Sequence, residues 1–256
     1  MVEALLHRAD HGVGVVSRTD PRLRVVCAVA FAVVTVSLSE TSVLVAALGF
    51  ALLLMMSAGL AVGATLKQML VMDLFILFML LLLPFSVPGT PLFHIWGFPA
   101  SREGFLQAVE IGVTANAVIL ALMALVGSMD PTVLGQALHA LKIPERLVHL
   151  LMFTIRYISV MKEEYTRMRG AMRARGFRGG ASLHSYRSLG YLVGMMLIRA
   201  IERSERILGA MKCRGFTGRF MVSHPFRMTR FDMGFAIAFA LVLLVLIAAE
   251  VAYGVV

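Results

Sequence analysis

Residues 41–66 carry no charged side chain, and that run constrains the fold more than any other feature of the chain. A helix crosses a hydrocarbon core about 30 Å thick with roughly 20 apolar residues, so a run of this length reads as a membrane span. Four more stretches join it: 25–39, 74–85, 105–129, interrupted only by Glu110, and 233–249. The chain is 59% hydrophobic and only 15% charged, where a soluble domain averages about a quarter charged. An all-α polytopic membrane protein with about five transmembrane helices is therefore expected.

The net charge of +9 is unevenly spread. Residues 142–230 hold 18 Lys/Arg against 5 Asp/Glu, a net of +13, and the remainder nets −4. A basic face beside membrane spans follows the positive-inside rule. It shows none of the usual nucleic-acid signatures, so nucleic acid is excluded as a partner and membrane lipid is retained. The bias puts the N-terminus, Lys67 and the basic region on the cytoplasmic side. The surroundings of Glu40 and the turn-rich connection 86–104, with Pro88, Pro91, Pro99 and Trp96, then face outward. Four parts result: a cytoplasmic N-terminal segment 1–24, transmembrane helices one to four in 25–129, a cytoplasmic domain 130–231 and a last transmembrane helix in 232–256. Residues 1–24 are too long and too acidic for a signal-peptide start.

The basic region is patterned as helix. Leu147, Leu151, Thr154, Ile158, Met161, Tyr165, Met168 and Met172 recur at alternating spacings of four and three, one apolar stripe on a helix. Val193, Leu197, Ala200, Ser204, Ile207 and Met211 repeat the pattern. Charge arrives too often for either segment to span a membrane. Each reads as a long amphipathic helix lying along the membrane or on its partner.

Both segments end in the same motif, 39 residues apart: Ala171-Met-Arg-Ala-Arg-Gly-Phe-Arg-Gly179 and Ala210-Met-Lys-Cys-Arg-Gly-Phe-Thr-Gly218. Gly176 and Gly215 suit the left-handed residue that closes a helix, with Phe177 and Phe216 folding back on the last turn. Arg175 and Arg214 then stand in the last turn, where the helix dipole favours a cation. Closure alone needs neither the preceding Ala-Met nor the second glycine. Small Ala174 and Cys213 admit a partner's backbone, the guanidinium suits a carboxylate, and Met172 and Met211 give adaptable apolar contact. Two equivalent pegs suit a two-fold partner.

In this doubled signature the chain resembles the transmembrane T component of energy-coupling factor transporters, and more narrowly the cobalt-type permease family CbiQ. Asp20-Pro21-Arg22-Leu23, Ile143-Pro144-Glu145, Arg156-Tyr157, Glu163-Glu164 and Arg203-Ser204 sit where that family has similar residues. The second motif has Cys213 where the family usually has Ala. The resemblance implies that 130–231 is a coupling domain. Arg175 and Arg214 would each enter a groove on one subunit of an ATP-binding cassette ATPase dimer, with Ala174, Gly176, Cys213 and Gly215 around them. It implies a separate substrate-capture membrane subunit (CbiM-like), a small accessory membrane subunit, cobalt as the transported ion, and a bacterial or archaeal cell membrane as location. Nickel or a vitamin is the alternative cargo. No catalysis is expected from this chain. It has no G-x-x-x-x-G-K-[ST] phosphate loop, so ATP and Mg belong to a partner and no cofactor is expected here.

Other candidates point less sharply. His7 and His11, four apart with Asp10 between, share a helix face that suits a transition metal or is merely polar; the remaining histidines, 94, 139, 149, 184 and 224, are scattered. Cys27 and Cys213 read as two free thiols. Asp73, Glu110 and Glu250 read as interfacial residues at span ends rather than ion relays. A stand-alone secondary carrier or channel would need intramembrane polar residues and inverted halves, and a membrane enzyme would need converging catalytic groups. Neither pattern is present in the sequence.

Overall fold

The computed structural model describes Gly14 and residues 16–59, 62–87, 90–95, 98–216 and 228–254. Its helices are α1 (Pro21–Val36), α2 (Thr41–Ser57), α3 (Val62–Ser86), α4 (Arg102–Leu125), α5 (Pro131–Ala140), α6 (Glu145–Ala174), α7 (Leu183–Cys213) and α8 (Arg230–Gly254). Two compact units emerge: Met1–Ala137 with Phe226–Val256, and Leu138–Pro225. The α5 helix thus belongs largely to the first unit.

The all-α class holds, with one addition. Strands β1 (Pro91–Ile95) and β2 (Phe98–Ser101) form an antiparallel hairpin inside the connection read as turns, with a bulge between Pro91 and Phe93. Pro and Gly mark chain reversals, but they do not forbid two short strands between them.

The uncharged run 41–66 is not one span. The α2 helix stops at Ser57, where Ala58 caps it and Gly59 turns left-handed at φ 67°. The α3 helix then starts at Val62, twelve residues before the expected third span at 74. Absence of charge marks what can be buried; the glycine marks where the helix ends. Lys67 and Asp73 consequently lie inside α3, and Pro84 stands within that helix. The α4 and α8 helices supply two segments, Arg102–Leu125 and Arg230–Ala252, long and apolar enough to cross a membrane. The α1 and α2 helices, of 16 and 17 residues, reach about 24 and 26 Å.

Small residues set the packing of the first unit. Ala47 and Ala51 on α2 and Ala117, Ala121 and Ala124 on α4 are fully buried, bringing these two helix backbones close, the usual device where lipid removes the hydrophobic drive between helices. A Cβ on Gly104 would meet the Leu83 carbonyl oxygen at 2.8 Å, so glycine is required where α4 begins beside the end of α3. Phe31, Phe50 and Phe239 join α1, α2 and α8, with ring centroids 5.6 to 6.4 Å apart. On the outside, Leu74, Leu77 and Leu81 of α3 and Ile237, Leu241 and Leu244 of α8 are exposed, as lipid-facing side chains would be.

Several helix ends in this unit are closed by side chains from other helices. At one end Asp232 accepts from the Asp20 N–H at 2.8 Å and from the Thr229 N–H and hydroxyl at 2.8 and 2.7 Å. Asp20 itself caps α1 by accepting from the Arg22 N–H at 2.9 Å. Buried Arg24 donates to the Ser128 hydroxyl just beyond α4, where a cation complements the helix C-terminus. At the other end Glu250 accepts from the Ser39 and Glu40 N–H groups at 2.8 and 3.3 Å, and Glu110 from the Thr41 hydroxyl at 3.1 Å. Both carboxylates meet the start of α2, the favourable pole of its dipole.

Replacing Asp232 by Ala would remove the acceptor of three donors, the Asp20 N–H among them being buried. That should cost about 2 kcal/mol and lower the thermal unfolding midpoint in detergent by roughly 4–8 °C. Asp232→Asn, which keeps one acceptor oxygen, should lose less.

Candidate functional site

The second unit is built on α6 and α7, of 30 and 31 residues, each about 45 Å long. Pro144 precedes α6 and the first-turn Glu145 matches the dipole. The Ser182 hydroxyl caps α7, accepting from the Ser185 N–H at 3.2 Å, and α7 begins ten residues before the apolar stripe that announced it.

Both helices close in the same way. At the end of α6 the Gly176 N–H donates to the Arg173 carbonyl and the Phe177 N–H to the Met172 carbonyl, each at 3.0 Å; at the end of α7 Gly215 to Lys212 and Phe216 to Met211 repeat both distances. This is the Schellman closure, in which one left-handed residue lets two outer N–H groups satisfy inner carbonyls. Gly176 and Gly215 supply that residue at φ 83° and 77°. A Cβ there would meet nothing within 4 Å, so backbone conformation, not space, demands glycine. Any other L-residue would pay about 1–2 kcal/mol for the left-handed geometry.

Arg175 and Arg214 occupy the cap position itself, one residue beyond the last helical turn. Because backbone groups complete the closure, neither guanidinium is needed for it. Arg175, Arg214, Ala174 and Cys213 are all exposed. Beside the first closure lies a cavity of about 420 Å³, lined by Met172 and Arg175 from α6 and by Tyr191, Leu192 and Met195 from α7. Beside the second lies one of about 330 Å³, lined by Met211 and Phe216 against His149, Phe153 and Tyr157 of α6. Each motif thus faces the N-terminal half of the other helix, so the pair runs antiparallel with a peg at either end. From the level of Met195 to Arg214 is roughly 30 Å along α7.

One ion pair ties the helices between the pegs. Glu164 of α6, nearly buried, accepts from Arg199 of α7, and Arg167 stands 3.7 Å from its other oxygen. Sequence spacing did not pair Glu164 with Arg199, 35 residues away; the available signal was a charge directly beside each apolar stripe, next to Tyr165 and Ala200. The stripes themselves are largely uncovered. Leu147, Ile158, Val193 and Leu197 are exposed, and only Val148 and Leu192 among the large apolar side chains are buried.

The other candidates separate. His7, Asp10 and His11 lie outside the described residues. Glu110 and Glu250 serve as hydrogen-bond acceptors for α2. Asp73 sits midway along α3 and lines a cavity together with Asn116, a pair that the sequence did not bring together.

A bundle of apolar helices joined to a pair of long, sparsely buried helices defines an α-helical membrane protein with surfaces left for partners. The CbiQ family profile, described as cobalt transport protein, matches residues 12–225, and the chain belongs to this family. It is 26% identical over 212 residues to the energy-coupling factor transporter transmembrane protein EcfT of Brevibacillus brevis, covering 78% of this chain and 80% of that protein. With the protein of the same name from Lacticaseibacillus paracasei it shares 23% identity over 229 residues, 85% of this chain and 87% of that one. An uncharacterised protein of Methanocaldococcus jannaschii is 40% identical over 80 residues, 31% of this chain and 29% of its own.

The Glu164–Arg199 contact should be visible in a double-mutant cycle. Glu164→Gln and Arg199→Gln should each destabilise the chain by about 1–2 kcal/mol, given that Arg199 is half exposed. The double variant should lose less than the sum. Additive losses in thermal unfolding would show that the pair does not couple the helices.

Proposed function

We propose that this chain is the transmembrane energy-coupling subunit of an energy-coupling factor transporter for cobalt uptake, itself without catalytic activity. Residues 138–225 lie in the cytoplasm. There Arg175 and Arg214 each engage one subunit of an ATP-binding cassette ATPase dimer. The ATPase pair holds ATP and Mg, and its closure moves α6 and α7. That motion passes to a separate substrate-capture membrane subunit.

The observation that carries this reading is the duplicated closure. Two helix ends with the same residues, the same hydrogen bonds and the same freed guanidinium are what a partner with two equivalent grooves requires. The guanidinium is rigid and can bond a carboxylate through two N–H groups. Antiparallel helices holding a peg at each end, tied by Glu164 and Arg199, move as one lever. The uncovered apolar face of α7 supports a second contact, since exposed patches of this kind mark partner or membrane surfaces. The description of the family supports cobalt. Cargo selection belongs to the capture subunit, so the same lever serves nickel or a vitamin when joined to a different one.

Arg175→Glu together with Arg214→Glu should abolish co-elution of the ATPase from detergent-solubilised membranes. Either substitution alone should only weaken it, because the two pegs are equivalent. Undiminished ATPase recovery with the double variant contradicts the assignment.

A further inference from the structure

Between α2 and α3 lies a groove of about 680 Å³, floored by α4. It exists because α2 and α3 both pack on α4 and hardly touch each other. Its walls are hydrocarbon and thioether except for two residues, Asp73 on α3 and Asn116 on α4. The Asn116 amide N–H₂ donates to the Gly112 carbonyl at 3.1 Å. The Oδ1 atoms of Asn116 and of Asp73 are both buried and without a hydrogen-bond partner.

Two orphan acceptors in an apolar groove halfway along α3 are costly. A buried acceptor left without a donor keeps its desolvation penalty uncompensated, and a carboxylate more so than an amide. Among the described lining residues the one side-chain donor is the Asn116 amide, already bonded to Gly112, and a lipid acyl chain offers none. Leu52, Leu74 and Leu77 on the rim are exposed on the apolar outer face, so the groove opens sideways toward lipid. Whatever completes it arrives within the membrane plane, is mostly apolar, and brings a donor.

We propose that this groove receives a transmembrane helix of a partner membrane subunit that presents an ammonium, guanidinium or amide donor to Asp73 and Asn116. A helix supplies the apolar surface that replaces lipid, and its donor satisfies both oxygens. Intramembrane ionisable residues are rare and commonly mark such pairings. The inference rests on the multi-subunit reading above but uses a surface separate from the arginine pegs.

The test is photocrosslinking in native membranes from Leu77→p-benzoylphenylalanine on the rim, with the adduct mapped by peptide mass spectrometry. The expected product joins Leu77 to a transmembrane segment of a different chain, with a Lys, Arg, Asn or Gln within one turn of the attachment point. Asp73→Leu, which replaces a buried charge by hydrocarbon and should not impair folding, should reduce the adduct at least tenfold. The near-isosteric Asp73→Asn should reduce it only a few-fold. Recovery of the ATPase with Asp73→Leu should stay unchanged. Adducts with lipid alone, adducts with a second copy of this chain, no adduct, or an adduct indifferent to Asp73→Leu would each overturn the proposal. Loss of ATPase from the unaltered chain would instead count against the coupling reading while the crosslink still reported on the groove.

Discussion

Every helix leaves four N–H groups and four carbonyls without partners at its ends, and in a membrane protein water does not rescue those that are buried. This chain meets the constraint in two ways, and the division follows its two units. In the membrane unit local caps at Asp20 and Ser101 are joined by long-range ones: Asp232 holds the start of α1, Glu250 and Glu110 hold the start of α2, and Arg24 reaches Ser128 beyond α4. The long-range caps fasten the bundle by making a helix end a contact with another helix. They also sort the ends into two sets, with Asp20, Arg24, Ser128 and Asp232 together and Ser39, Glu40, Glu110 and Glu250 together.

In the second unit the ends of α6 and α7 are closed locally, by backbone alone, around Gly176 and Gly215. Local closure has a consequence that long-range capping does not. Among the described residues it leaves the arginine at the tip of each helix exposed and outside the closure. Val148 and Leu192 are the buried ones among the large apolar side chains of the two helices. A pair of helices with so many apolar side chains exposed is suited to contacts made with other molecules.

Much of this was legible in the sequence. The repeat around Gly176 and Gly215 predicted left-handed closure, because glycine is the one residue that takes positive φ without strain. The alternating spacing of four and three located α6 almost to the residue. What was not legible depended on tertiary placement. The break at Gly59 was hidden inside an uncharged run, since hydropathy is indifferent to backbone conformation. Asp73 was read beside Lys67 at the edge of a span, and the start of its helix at Val62 was not legible because nothing in an uncharged run marks it. The hairpin at 91–101 was masked by Pro and Gly, which signal reversal without excluding strands. Glu164 and Arg199 needed the antiparallel crossing of two long helices to become neighbours.

The claim on which the functional account depends is that the two arginine ends are equivalent and simultaneously occupied. Native mass spectrometry of the complex, released from its own membranes in mild detergent, tests it most directly. The account predicts one copy of this chain carrying two ATPase subunits. A complex with a single ATPase subunit, or a chain recovered intact with none, would contradict it.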